Sequence, residues 1–107
     1  MRLSIVMPVY NDWTSAGELI RRLDSALAGK GWRVQVIAVD DGSIAGAPDA
    51  LVGLRSIEQV EVVELETNLG HQRAIATGMV HAYNSGPFDH LAIMDSDGED
   101  TPEAQRV

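Results

Sequence analysis

Short apolar runs alternate with amphipathic stretches along the chain. Leu3 to Val9 is apolar and rich in β-branched residues, the mark of a strand buried on both faces. Leu19, Ile20, Leu23, Ala26 and Leu27 then recur at helical spacing, so one helix face is apolar. Ser15 followed by Glu18 predicts a capping box at the start of that helix, and Gly29 and Gly31 its stop. Val34 to Val39 predicts a second buried strand and Val60 to Leu65 a third, with a short helix opened by Pro48 and running through Leu54 between them. Ala74, Ile75, Gly78, Met79 and Ala82 predict a second long helix, ending near Asn84-Ser85-Gly86-Pro87, and Leu91 to Met94 a fourth strand.

Strand, helix, strand, weak helix, strand, helix, strand is the pattern of right-handed βαβ units and a parallel sheet. In such sheets ligands bind beyond the carboxyl ends of the strands. Each chemically loaded segment of this chain falls at such an end: Tyr10-Asn11-Asp12, Asp40-Asp41-Gly42-Ser43, Asn68-Leu69-Gly70 and Asp95-Ser96-Asp97. That convergence predicts one site.

The 107 residues suit one domain or part of one, and 45% apolar content is globular. A net charge of −8 disfavours a general electrostatic grip on nucleic acid or anionic lipid, though an acidic chain can still bind a polyanion through a metal ion. With no cysteine there is neither a disulfide nor a thiolate metal site, which fits a reducing compartment. The opening MRLSIVMPVYND has too short an apolar run for a signal peptide, and no stretch approaches the ~18 apolar residues of a membrane span. The expectation is a cytoplasmic protein, with membrane association confined to a longer form.

The densest chemistry is Asp95, Asp97, Glu99 and Asp100. Two like charges at ~4 Å repel by about 1 kcal/mol in water and by about 4 at an effective dielectric of 20, so such a cluster calls for a cation. All-oxygen ligation suits Mg²⁺ or Mn²⁺, and residues 95, 97 and 99 share one side of an extended segment. The alternative is a solvated acidic turn built on Ser96-Asp97-Gly98. Asp40 and Asp41 could accept from a nucleobase N–H or cap the following turn. The Tyr10 ring could stack on a base or pack at the sheet edge, and Pro8 marks a position that needs no ladder donor. Asn68 to Arg73 opens a helix, a place for phosphate beside His71 and Arg73, or simply a cap with Arg73 in solvent.

Taken together, SIVMPVYND (4–12), VIAVDDGS (36–43), NLGHQRAIATGM (68–79) and HLAIMDSDGEDTPE (90–103) resemble, in order and spacing, the family 2 glycosyltransferases of GT-A fold. The nearest flavour is that of the polyprenyl-phosphate (dolichol-phosphate) sugar transferases. The resemblance implies an α/β fold, the Rossmann-like nucleotide-binding half of a nucleotide-diphospho-sugar transferase. It implies that Pro8, Tyr10 and Asp41 line a nucleobase pocket with Asp40 adjacent, and that Asp12, where the family usually has glutamate, lies near the nucleotide. Asn68, Gly70 and Arg73 would run along the nucleotide and phosphates, and Asp95 and Asp97 would be the D-x-D pair that holds Mg²⁺ or Mn²⁺ and the diphosphate, with Glu99 as a further ligand. The implied reaction is an inverting, metal-dependent transfer from a nucleotide-diphosphate sugar, with a lipid phosphate such as a polyprenyl phosphate as acceptor. Residues 44–49 lack the Asp-x-Thr that usually follows the DDGS-type turn, and Arg73 replaces a commoner small residue. The family's domain usually exceeds 200 residues, with its acceptor half and catalytic base after the D-x-D segment. Residues 1–107 are therefore expected to be the nucleotide-sugar-binding part, inactive alone, with the base beyond Val107.

Two other classes compete. A receiver-like Mg²⁺-binding signalling domain also pairs aspartates on a parallel sheet, but after its first strand, and it needs a lysine after a late strand; here the pair follows the second strand and the lysine is Lys30. A non-catalytic nucleotide-binding or interaction module is the other, with self-association through an unpaired sheet edge.

Overall fold

A computed structural model of the chain describes residues 1–44 and 53–95. Strand β1 (Arg2–Val9) is followed by helix α1 (Trp13–Ala26), β2 (Arg33–Asp40), β3 (Ile57–Glu64), α2 (His71–Asn84) and β4 (His90–Ile93). The four strands form one sheet in the order β3-β2-β1-β4, with every pairing parallel. The predicted strands are all present, with β3 beginning three residues before the expected Val60 and β4 one residue before the expected Leu91. The predicted Pro48 helix lies almost wholly outside the described residues, and Gly53 and Leu54 are not helical.

Alternation along the strands decides which helix covers which residue. Leu3, Ile5, Met7 and Val9 of β1, with Val34, Val36 and Ala38 of β2, pack with Trp13, Ala16, Leu19, Ile20 and Leu23 of α1. Val6, Ile37 and Val39 point the other way, toward Ala74 and Ala82 of α2. Both faces of β1 are thus covered, which is why its sequence is continuously apolar. The small helix residues Ala74, Gly78 and Ala82 bring α2 close to the sheet: a Cβ on Gly78 would run into Val6 and stand 2.9 Å from a Val39 methyl.

Pro8 fits because carbonyls of β1 alternate in direction. Val9 O accepts from Asp41 N toward β2, and Val6 O accepts from Met94 N toward β4. Pro8 therefore faces the β4 side, beyond the last pair Val6↔Ile93, where its missing N–H costs no ladder bond.

The start of α1 corrects the sequence reading. The helix begins at Trp13, and the cap is Asp12, whose Oδ1 accepts from Ser15 N at 3.1 Å, in place of a Ser15–Glu18 box. The earlier start buries Trp13 against the sheet, a gain that a cap at Ser15 would forgo.

The early start of β3 has a similar tertiary cause. Asp24 on α1 accepts from the backbone N–H groups of Arg55, Ser56 and Ile57 at 2.7–3.0 Å, and this pins the strand's first residue. Partial burial raises the Asp24 pKa, but the bonds from Ile57, Arg55 and Ser56 and the Arg55 charge outweigh it, and the net position is below the ordinary 3.8. A carboxylate depressed in the folded state contributes stability that is present above its unfolded pKa and is lost as pH falls through the folded one. Asp24→Ala is therefore expected to destabilise the fold by about 1–2 kcal/mol at neutral pH, the low end for bonds to a partly exposed charge. The gap from wild type should narrow below about pH 4; denaturant unfolding at pH 7 and at pH 3 checks it.

Candidate functional site

The order 3-2-1-4 reverses direction between β1 and β4, and in doubly wound sheets the crevice outside the carboxyl ends at such a reversal takes the ligand. A cavity of about 310 Å³ opens there, lined by Pro8, Val9, Tyr10, Asp12, Asp41, Asn68, Gly70, His71 and Asp95. Seven residues expected at the site from the sequence therefore share one wall: Pro8, Tyr10, Asp12, Asp41, Asn68, Gly70 and Asp95. A shallower cavity of about 120 Å³ lies at the opposite, amino end of the strands, around Arg2, Ser4, Gln35 and Phe88.

The adjacent aspartates part company, since alternation sends them to opposite faces of the sheet. Asp40 is buried on the α1 side, where Oδ2 accepts from the Trp13 indole N–H at 3.2 Å and Oδ1 from Ser43 N at 3.0 Å. It does not reach the cavity. Asp41, equally buried, turns to the α2 side: Oδ1 accepts from Leu69 N at 2.7 Å and Oδ2 from Gly70 N at 3.1 Å. The Asn68 side chain donates to Asp41 O at 3.2 Å and so ties the turn back to β2 instead of capping α2. Gly70 is the N-cap, with φ 97° and no side-chain cap bond, a conformation suited to glycine.

The loops after β1 and β2 are cross-tied. Asn11, in the left-handed region at φ 52°, donates its N–H to Ser43 Oγ at 2.8 Å and accepts from Ile44 N at 2.9 Å through Oδ1. This holds the half-exposed Tyr10 ring at the cavity mouth.

His71, expected from the sequence beside a phosphate place at the start of this helix, lines the cavity. It is the first residue of α2, and its Nε2 lies 3.5 Å from Asp95 Oδ2. The signal was its place directly after the glycine that turns the chain back over the strand ends. Arg73 is exposed further along the first turn of α2 and does not line the cavity. Asp97 and Glu99 lie outside the described residues, and among the described residues no three His, Asp or Glu side chains form a group able to hold a metal. The acidic wall consists of Asp12, Asp41 and Asp95, with no lysine or arginine among the described lining residues.

A parallel sheet in this order, with an acidic cleft at the switch point, is the Rossmann-like α/β arrangement that the resemblance to GT-A transferases implied. The family model for Glycosyl transferase family 2 matches residues 4–106, and the chain belongs to that family. It is 34% identical over 104 residues to the undecaprenyl-phosphate 4-deoxy-4-formamido-L-arabinose transferases of two Klebsiella pneumoniae strains, covering 95% of this chain and 31% of each relative. The chain thus spans about a third of the length of these curated relatives. The crystal structure of S. aureus TarS (1–349) superposes with a TM-score of 0.69 at 24% identity, over 91% of this chain and 28% of that one, a likeness of fold. The receiver reading fails on topology, because the flavodoxin-like order sets the third strand beside the first, and here β3 lies beside β2.

Proposed function

We propose that the cavity binds a nucleotide-diphosphate sugar and that the protein transfers the sugar, with inversion, to an acceptor. The observation that carries this reading is the placement of Tyr10, Asp41, Asn68, Gly70 and Asp95 around one cleft at the switch point. Tyr10 offers a ring face for the base. Asp41 accepts one backbone bond at each oxygen, and a carboxylate has about four lone-pair sites, so it can still take an N–H from the base. Asn68 and Gly70 lie along the nucleotide, while Asp40 ties Trp13 and Ser43 behind the wall without reaching it. Asp95, with Asp97 and Glu99, would hold a divalent cation of the Mg²⁺ or Mn²⁺ kind. The cation's chemistry, when bound, is to neutralise the leaving diphosphate; without it, three carboxylates would repel that group.

The acceptor in this reading is a lipid phosphate, by analogy with the undecaprenyl-phosphate transferases it resembles. A phosphate acceptor is already anionic and can attack without a general base. Among the described residues no helix is long and apolar enough to cross a membrane. Among the described residues the four-residue β4 is one sheet edge, and such an edge suits a further strand, from the same protein or from a second copy.

Calorimetric titration of the full chain with UDP- and GDP-sugars, with and without Mn²⁺, tests the proposal. Binding that requires the metal is the expected result; the absence of heat with either nucleotide in the presence of Mn²⁺ would sink it.

A further inference from the structure

We propose that Asp41 is a positioning residue for the diphosphate part of the donor: through the Leu69 and Gly70 amides it sets where α2 begins, and so where His71 stands against Asp95. The inference rests on reading the cavity as a nucleotide-sugar site, and it adds to base recognition a role that acts through the backbone.

The junction is built from three sides. Both carboxylate oxygens of Asp41, itself 3% exposed, are held by consecutive amides, Leu69 N at 2.7 Å and Gly70 N at 3.1 Å. The Asn68 side chain returns a bond to Asp41 O at 3.2 Å. Gly42, at φ +76°, lets the two backbones touch, since a Cβ there would sit 2.6 Å from Asn68 N and 2.7 Å from Thr67 C. Leu69 and Gly70 have no intrahelical acceptor, being just ahead of a helix whose N-cap makes no side-chain cap bond. Asp41 supplies the acceptor for both amides from 28 and 29 residues away. One residue beyond Gly70 is His71, with Nε2 3.5 Å from Asp95 Oδ2. Moving the Leu69-Gly70 amides therefore moves the His71–Asp95 wall.

A residue that only reads the base would affect nucleoside and leave pyrophosphate alone. The test is calorimetry of the full chain with nucleoside and, separately, Mn²⁺-pyrophosphate, for wild type and Asp41→Asn, joined to residue-resolved amide exchange. Asp41→Asn keeps the shape but replaces one acceptor with a donor facing an N–H. It is expected to weaken Mn²⁺-pyrophosphate binding by about tenfold, the equivalent of one lost hydrogen bond. It is also expected to speed exchange at Leu69 and Gly70 by about tenfold or more, local opening being set by those bonds. Gly42→Ala, which keeps the carboxylate but drives Asn68 away, should reproduce both changes and stands in if Asp41→Asn does not fold. Unchanged pyrophosphate affinity together with unchanged exchange at the two amides overturns the inference. If wild type binds neither nucleoside nor Mn²⁺-pyrophosphate, the site reading falls and the diphosphate role falls with it, while the exchange data still decide the Asp41 clamp.

Discussion

Asp95→Ala is expected to lower the affinity for nucleoside diphosphate with Mn²⁺, and sugar transfer by a longer form that carries an acceptor half, by about 10²–10³-fold, the scale seen when one preorganised partner of a developing charge is removed. The residue follows β4 at the switch-point crevice, on the cavity wall shared with Asp12 and Asp41. Its carboxylate is 37% exposed and faces His71 at 3.5 Å, so it is reachable by a ligand and contributes little to the packed core. The fold should therefore survive: the melting temperature should stay within a few degrees of wild type, the usual scale for a surface substitution. Affinity for the nucleoside alone should be unchanged, because the proposed base contacts, Tyr10 and Asp41, are residues other than Asp95. Retention of metal-dependent diphosphate binding in a folded Asp95→Ala protein would contradict the assignment.

The second large effect is on stability. Gly78→Val should unfold the chain or cost about 3 kcal/mol or more, and Gly78→Ala about 1–2 kcal/mol, by overpacking. In an exposed helix the glycine-to-alanine change gains about 1 kcal/mol from propensity. Here that gain is opposed, because even the first added carbon meets Val6 and approaches Val39 to 2.9 Å. Both valines are fully buried beneath α2, in strands held by neighbours on either side, so neither can yield cheaply. The denaturation midpoint should fall in the order wild type, Gly78→Ala, Gly78→Val. A rise for Gly78→Ala would mean that α2 stands further from the sheet than described.

The sequence alone determined the alternation of strands and helices, and with it the parallel sheet, since runs such as Leu3 to Val9 are explicable only as strands covered on both faces. It also placed Pro8, Tyr10, Asp41, Asn68, Gly70 and Asp95 at one end of the sheet, because in βαβ units every strand points the same way. Element starts were less legible. The first helix opens at Trp13 and the third strand at Ile57 because of partners distant in sequence: Asp40 receives the Trp13 indole, and Asp24 collects three backbone amides. Only the tertiary structure separated Asp40 from Asp41. They are neighbours of one residue type, and no local pattern tells which meets the indole and which clamps the turn before α2. A strand's period of two sends them to opposite faces, and what waits on each face is chosen by chain folded back from 27 to 29 residues away. The sequence put His71 at the start of α2, but its distance to Asp95 depends on where that helix is pinned, and no local pattern carries that information.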